Sequence, residues 1–218
     1  DLLTALFATV LLVSNVASTK LVVLGPFTFD GGTLLFPLAY IFGDVLTEVY
    51  GYRKSRRVIW IGFFALLLAT LTFQAVAHLP APPDAESQRF GEAFGLLLGL
   101  TPRIVLGSLL AYFLGEFANA YVLAKLKVRT EGRFFWLRAL ASTLVGQGLD
   151  TGVFLLVAFY GVFPKEVLLA VFLSNYAFKL GVEALMLPFT YAVVGFLKRA
   201  EGMDAYDRDT DFNPFRLT

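Results

Sequence analysis

The stretch GTLLFPLAYIFGDVLTEVYGYRKSRRVIW, Gly32 to Trp60, decides the fold of this chain. It opens with a mostly apolar run that nevertheless contains Asp44 and Glu48, and a basic cluster follows before apolar sequence resumes. About 20 apolar residues cross a hydrocarbon core about 30 Å thick. A charge at its centre costs about 2.5–3.5 kcal/mol on insertion scales. The stretch therefore predicts a membrane helix whose acids serve a function.

The composition of the whole chain agrees with a membrane protein. Its 218 residues are 57% hydrophobic and 16% charged, and the mean hydropathy is +0.71. The chain has no cysteine, which excludes disulfides, thiolate metal sites and cysteine nucleophiles. Its single histidine, His78, lies at a predicted helix end and is better explained as an interfacial side chain than as a metal ligand.

Apolar blocks along the chain predict six transmembrane helices. They span Leu2–Leu24, Thr33–Tyr50, Val58–Leu79, Ile104–Ala124, Ala139–Tyr160 and Val167–Leu197. The last is longer than a membrane requires and contains Pro188, which removes a backbone donor and favours a kink.

The distribution of basic residues predicts the orientation of these helices. Thirteen Lys and Arg residues fall in the second loop, the fourth loop and the C-terminal tail, against three in the first, third and fifth loops. Since cytoplasmic loops carry the excess of positive charge, both termini are expected in the cytoplasm. This predicts a single six-helix membrane domain over residues 1–200, and a polar cytoplasmic tail over 201–218, extended or disordered.

The third loop has a pattern of its own. Pro80, Pro82 and Pro83 exclude a helix at its start, and apolar residues then recur at helical spacing from Phe90 to Leu98. The pattern predicts a short interfacial helix on the outer face, either a surface connector or a lid. The predicted fold class is therefore an all-α polytopic membrane protein with six transmembrane helices and one interfacial helix.

Polar side chains recur near the middle of five predicted helices. Rise per residue places them roughly 16–20 Å from the helix ends, at the depth where transporters usually bind substrate. The residues expected to face a substrate are Asn15, Tyr40, Asp44, Tyr112, Glu116, Asn119, Gln147, Asp150, Asn175, Lys179 and Glu183. Glycines beside several of them, such as Gly115 and Gly146, are expected to let helices approach closely.

The surplus of acids indicates more than structural packing. A buried polar residue can simply join two helices, but five intramembrane acids against Lys20 and Lys179 leave excess negative charge for protons, a cation or a donor-rich ligand. Lys20 lies near a helix end and can extend to the interface. Lys179 is expected to pair with an acid of the second, fourth or fifth helix. Glu48, nearer the cytoplasmic end, is the candidate for a proton or gating role.

Several stretches carry a family resemblance. Gly32–Trp60, TPRIVLGSLLAYFLGEFANAYVLAKLK (Thr101–Lys127), STLVGQGLDTGVF (Ser142–Phe154) and the tail FLKRAEGMDAYD with FNPF resemble the queuosine precursor transporter family, also called the vitamin uptake transporter family. The resemblance implies an inner-membrane protein of six helices, distantly similar to the substrate-binding subunits of energy-coupling-factor importers. It also implies a cargo, 7-cyano-7-deazaguanine or 7-aminomethyl-7-deazaguanine.

A 7-deazaguanine presents two donors side by side, N1–H and the 2-amino group, which match one carboxylate. Its carbonyl suits an amide or Lys179, and its flat ring suits aromatic side chains. Glu116 and Asp150 are the favoured acids, because each shares a helix face with an amide, Asn119 and Gln147 respectively.

Other functions remain to be weighed. An intramembrane aspartyl protease would use Asp44 and Asp150, whose flanks do not resemble protease signatures, and a channel would not need an aromatic-lined pocket. The serious alternative is a proton-coupled transporter, or a substrate-binding subunit, for another small solute. No nucleotide-binding loop is present, so the chain cannot hydrolyse ATP itself. An external ATPase module and a homodimer both remain alternatives. No enzymatic activity, cofactor, metal or nucleic acid is expected; the partners are a small molecule and the bilayer.

Overall fold

The computed structural model describes residues 2–24, 27–99 and 102–216. Within them the chain forms seven α-helices, with a short antiparallel hairpin and a 3-10 turn between the first two. The helices are α1 (Leu2–Ala17), α2 (Phe36–Tyr50), α3 (Tyr52–Ala77), α4 (Ala85–Leu98), α5 (Pro102–Arg129), α6 (Phe135–Phe159) and α7 (Lys165–Glu201). The hairpin strands are β1 (Leu21–Leu24) and β2 (Phe27–Asp30), and the 3-10 turn is Gly31–Leu35.

Four helices, α3, α5, α6 and α7, are long and apolar enough to cross a membrane. Large apolar side chains on them face outward, including Leu68 at 68% exposure and Leu185 at 77%. Such surfaces suit contact with lipid tails. Helix α1 is apolar but has only 16 residues, and α2 has 15. The chain is thus a multi-pass, largely helical membrane protein, and six crossings stay a prediction.

The first helix is shorter than predicted, because it ends at Ala17 rather than Leu24. The hydroxyls of Ser18 and Thr19 donate to the carbonyls of Ser14 and Val16 at 2.9 and 2.8 Å, so they compete with the helical bonding pattern. The β-branched residues that follow favour a strand. An apolar run was therefore read as helix where the local chemistry forms a hairpin.

The predicted second loop is almost absent, because only Gly51 separates α2 from α3. Gly51 has φ +82°, which glycine adopts without strain. A side chain there would also lie about 3.2 Å from a carboxylate oxygen of Asp207. The basic cluster after Gly51 forms the first turns of α3 rather than a loop.

The helix predicted in the third loop is present as α4. Its first turn is capped by Asp84, whose carboxylate accepts from the N–H of Ser87 at 2.8 Å. It packs on α3 through the edge-to-face rings of Phe94 and Phe73, with centroids 6.3 Å apart. No residue of α4 is buried, and its position at the membrane surface stays a prediction.

Helices α5 and α6 make the closest contact in the described part of the chain. A Cβ added to Gly115 would lie 2.8 Å from the Cβ of Asp150 and 3.1 Å from the carbonyl oxygen of Gly146. A Cβ on Gly146 would lie 2.8 Å from the Cβ of Asn119. The two glycines thus let the backbones touch, as predicted, and this contact brings the polar residues of both helices together.

The segment after α7 is extended, and it packs against the helices. We call residues 203–216 the tail. The N–H of Ala205 donates to the carbonyl of Val49 at 3.0 Å, and the N–H of Tyr52 donates to Asp207 at 2.9 Å. Phe212 packs on Tyr52 with ring centroids 4.8 Å apart. The polar composition predicted an extended or disordered segment; the described tail is extended, and these contacts hold it against the helices.

The tail also supplies backbone acceptors to α3. The buried guanidinium of Arg56 donates to the carbonyls of Asp211 and Asn213 at 2.8 and 2.7 Å. The indole N–H of Trp60 donates to the carbonyl of Pro214 at 2.7 Å. The tail therefore covers one end of the bundle, where Gly51, the end of α5 and the end of α7 meet. We call this the basic end.

Candidate functional site

A cavity of about 650 Å³, including its open mouth, lies between α1, α2, α5 and α6. Its described lining residues are Phe7, Leu11, Ser14, Ala39, Tyr112, Gly115, Glu116, Gln147 and Asp150. Four of the residues predicted to face a substrate are among them, and they come from α5 and α6. The close contact at Gly115 and Gly146 is what places these four side chains on one wall.

Glu116 is the acid in the cavity that has no partner. It makes no hydrogen bond or ion pair with any residue that the structure describes, and it lines both this cavity and a smaller one of about 230 Å³. Two amide oxygens beside it, Oδ1 of Asn119 and Oε1 of Gln147, are also buried without a partner among the described residues. Unpaired buried polar atoms are rare and costly, so this group is suited to receive a polar ligand.

Asp150 lines the same cavity but is already paired. Its Oδ2 lies 2.9 Å from Nζ of Lys179 on α7, and the same ammonium lies 3.3 Å from the hydroxyl of Thr151. The Lys179 side chain is 11% exposed and that of Asp150 is 31% exposed. The predicted pairing of Lys179 with an acid from another helix is thus confirmed, and the partner is on the fifth predicted span.

The pair leads to a testable expectation. Lys179→Met should leave Asp150 without its cation and lower the free energy of unfolding by about 1–3 kcal/mol, less than for a fully desolvated pair because Asp150 is partly exposed. The double variant Lys179→Met/Asp150→Asn should recover part of that loss. Thermal unfolding in detergent measures both. A stable single variant, or no recovery in the double variant, would contradict a stabilising role for the pair.

Asp44 on α2 and Glu183 on α7 are two further buried acids, and neither is among the described lining residues of the cavity. Both are 1% exposed. Oδ2 of Asp44 and both carboxylate oxygens of Glu183 have no hydrogen-bond partner among the described residues. Buried carboxylate oxygens without a partner are costly.

Glu48 lies at the basic end and is held by three cations. Arg138 makes a bidentate contact with the Glu48 carboxylate. Its Nη1 donates to Oε2, and its Nη2 donates to Oε1 at 3.2 Å. Nζ of Lys198 is 2.7 Å from Oε1, and Nζ of Lys127 is 3.6 Å from it. We call Glu48 and these three cations the Glu48 cluster. The proton or gating role of Glu48 stays a prediction.

The tail joins the Glu48 cluster through Asp204, which pairs with Lys127 and with Lys198, the latter at 2.9 Å. Burial alone would raise the pKa of Asp204, but the two ammonium groups outweigh burial and hold that pKa below its ordinary value. A carboxyl whose folded pKa is lowered contributes stability above its unfolded pKa, and this is lost as pH falls through the folded pKa. The link between the tail and the cluster should therefore persist at neutral pH and weaken only in acid.

Four predicted site residues have individual outcomes. Tyr112 lines the cavity, and its hydroxyl donates to the carbonyl of Ile59 at 3.1 Å. Asn15 is half-buried on α1 and is not among the described lining residues, where Ser14 stands instead. Asn175 is exposed on α7 and is not among the described lining residues of the cavity. The side chain of Tyr40 lies outside the part of the chain that the structure describes.

Sequence reasoning missed several contributors. Phe7 supplies an aromatic ring to the cavity, and Thr151 bonds Lys179. The cations of the Glu48 cluster were counted only as loop and tail charge. Arg138 could have been singled out, because it lies one turn into a helix and a guanidinium buried there requires an anion.

The chain is similar in sequence to known proteins. Residues 30–193 match the family described as "Putative vitamin uptake transporter". The chain is 36% identical over 188 residues to "Probable queuosine precursor transporter" of Bacillus subtilis (strain 168), covering 85% of this chain and 80% of that relative. It is 27% identical over 168 residues to "Queuosine precursor transporter" of Escherichia coli (strain K12), covering 75% of this chain and 71% of the relative. No solved structure matches the chain.

Proposed function

The chain belongs to the vitamin uptake transporter family, and from that premise we propose that it imports 7-deazaguanine queuosine precursors across the inner membrane. The cargo is 7-cyano-7-deazaguanine or 7-aminomethyl-7-deazaguanine. The family consists of transporters, and the chain is not an enzyme. The names of the relatives support queuosine precursors as the cargo class.

The observation that carries the proposal is the unpaired Glu116 in the cavity. A guanine-type edge places two N–H donors side by side, and a free carboxylate accepts both. Glu116 is available for this, whereas Asp150 is occupied by Lys179. We therefore assign the donor pair of the base to Glu116.

The surrounding residues suit the rest of the base. The amide of Gln147 lines the same wall and can donate to the ring carbonyl, and the rings of Phe7 and Tyr112 can contact the flat faces of the base. An aminomethyl group carries a positive charge and would compete with Lys179 for Asp150. A cyano group would leave the Asp150–Lys179 pair intact.

A substitution at Glu116 tests the site. Glu116→Gln keeps the shape but replaces one acceptor oxygen by a donor that opposes the donors of the base, at a cost of about 2–4 kcal/mol. Binding of 7-deazaguanines should fall at least about tenfold, equivalent to 1.4 kcal/mol, while the melting temperature of the empty protein stays close to wild type. Thermal-shift binding with a panel of purines and 7-deazapurines measures this.

The control is Glu166→Gln, the same chemical change at an exposed position outside the cavity. Unchanged binding in both Glu116→Gln and Asp150→Asn would show that the recognition site is elsewhere. Binding of other purines without any 7-deazaguanine would redirect the proposal to another small solute.

We further propose six crossings with both termini in the cytoplasm. The end of α5, the start of α6, the end of α7 and the first turns of α3 carry most of the Lys and Arg residues, and the tail connects them at the basic end. Segments rich in positive charge remain in the cytoplasm. Their meeting at one end of the bundle supports placing that end inside the cell.

Cysteine labelling tests this orientation in a chain that has no cysteine of its own. Arg53→Cys and Arg129→Cys, both at exposed positions of the basic end, should react with a membrane-impermeant maleimide only from the cytoplasmic side. Glu86→Cys on α4 should react only from outside. The opposite pattern would reverse the proposed orientation.

A further inference from the structure

Asp150 and Lys179 form an ion pair between α6 and α7 at the wall of the cavity. Nζ of Lys179 lies 2.9 Å from Oδ2 of Asp150 and 3.3 Å from the hydroxyl of Thr151. The Asp150 side chain is 31% exposed and lines the cavity, whereas the Lys179 side chain is 11% exposed and is not among the described lining residues. A solute in the cavity therefore meets the carboxylate, and the ammonium is the more buried partner.

The charge of the cavity wall depends on this pair. Among the described lining residues, Glu116 is the other acid, and none of them is a Lys, an Arg or a His. The other polar side chains in the described lining are neutral; they are Ser14, Tyr112 and Gln147. Once Glu116 accepts the donor pair of the base, the charge that a substituent of the base meets is set by Asp150 and Lys179.

The arrangement of the wall directs one part of the base toward Asp150. In a 7-deazaguanine, the substituent at position 7 lies beside the ring carbonyl, and the carbonyl lies beside N1–H. Gln147 and Asp150 are three residues apart on α6 and share a helix face. Asp150 also touches α5 next to Glu116, because a Cβ on Gly115 would lie 2.8 Å from the Cβ of Asp150. With the donor pair on Glu116 and the carbonyl at Gln147, we expect the 7-substituent at Asp150.

The two cargo molecules differ in charge at this substituent. A cyano group is neutral, whereas an aminomethyl group is a primary amine and is protonated at neutral pH, like the side chain of lysine. An ammonium group of the solute would have to share the Asp150 carboxylate with Lys179, and the two like charges repel each other. A cyano group does not compete with Lys179 for the carboxylate.

We propose that Lys179 determines the charge selectivity of the cavity. By occupying Asp150, it lowers the affinity for a cationic 7-substituent relative to a neutral one. Lys179 acts through Asp150 rather than by contact with the solute, so it is a positioning residue. The inference rests on the proposed function, because it takes Glu116 as the acceptor of the base.

Selectivity can be separated from the stabilising role of the same pair. If Lys179 only supported the fold, its removal would weaken the binding of both solutes by the same factor. If its charge opposes a cationic substituent, removal changes the two affinities by different factors. The ratio of two dissociation constants measured on one protein therefore reports the charge and not the folding.

Isothermal titration calorimetry of the full chain in detergent at neutral pH measures this ratio, the Kd of 7-aminomethyl-7-deazaguanine divided by that of 7-cyano-7-deazaguanine. Lys179→Met leaves Asp150 to the solute alone, and the ratio should fall at least about tenfold, as for the gain of one charge-assisted bond. Asp150→Asn removes the acid and leaves the ammonium, and the ratio should rise at least about tenfold. The double variant should lie between the two single variants.

The matched control is Lys165→Met, the same chemical change at an exposed position of α7. It should keep the ratio of the wild type. An unchanged ratio in Lys179→Met would overturn the proposal. If that variant does not fold, Asp150→Asn decides, and an unchanged ratio there overturns the proposal as well.

Failure of the proposed cargo has a different signature. In that case neither solute binds the wild type, and the selectivity assigned to Lys179 is overturned together with the cargo. If both solutes bind, and Glu116→Gln weakens them while Lys179→Met leaves their ratio unchanged, the cargo and its site stand and the role of Lys179 alone is wrong.

Discussion

Replacing Glu48 with Gln is expected to destabilise the folded protein by about 3–5 kcal/mol. Its carboxylate is the shared anion of Arg138, Lys127 and Lys198, and the first two are 1% exposed. The substitution removes the negative charge that balances these two buried cations, and the amide of Gln would place a donor against them. Thermal unfolding in detergent, followed by tryptophan fluorescence, measures the loss.

The matched control is Glu183→Gln. Both glutamates are 1% exposed and both changes are isosteric, but Glu183 has neither a cation nor a hydrogen-bond partner among the described residues. Glu183→Gln should therefore unfold close to wild type. Equal losses in the two variants would mean that burial, rather than the Glu48 cluster, determines the cost.

Removing the tail from Met203 onward is expected to destabilise the protein on the order of 3–5 kcal/mol, given about 1 kcal/mol for a neutral hydrogen bond and 1.5–3 kcal/mol for a charged one. Arg56 and Tyr52 lose two acceptors each, Trp60 loses one, and Lys127 loses Asp204 and the carbonyl of Ala205. Water entering the exposed basic end replaces part of these bonds.

A shorter deletion serves as the control for the tail. Removing residues from Arg216 onward takes away one exposed ion pair, with Asp211, and the carbonyls that bind Arg56 remain. This variant should unfold close to wild type. If the long deletion were equally stable, the contacts of the tail would have no part in closing the basic end.

The polar wall of the cavity could be predicted from the sequence, because helical periodicity is a local property. Glu116 with Asn119, and Gln147 with Asp150, share faces by spacing alone, and Gly115 and Gly146 indicated a close helix contact. The pairing of Lys179 followed from the cost of an unpaired charge in a membrane.

Other features depend on which helices are neighbours, and spacing does not determine that. Glu48 and its partner Arg138 are 90 residues apart, and no sequence feature of either segment indicates that they are in contact. For the same reason, the residues expected to face a substrate divided into a group that lines the cavity and a group outside its described lining, to which Asp44 and Glu183 belong.

The contacts of the tail were hidden for a different reason. Its acceptors toward Arg56 and Trp60 are backbone carbonyls of Asp211, Asn213 and Pro214, which every residue possesses. Side-chain composition reports only that the segment is polar.

The tail also sets an order of events during biosynthesis. The ribosome produces residues 203–216 after all the described helices, so Arg56, Trp60 and Lys127 enter the membrane region long before their acceptors exist. Until then the basic end is open, and a nascent chain interrupted before Asp204 is an unfinished protein with unsatisfied cations at one face. Synthesis of the tail is thus the step that closes this end, and proteases that survey the membrane could distinguish chains that contain the tail from chains interrupted before it.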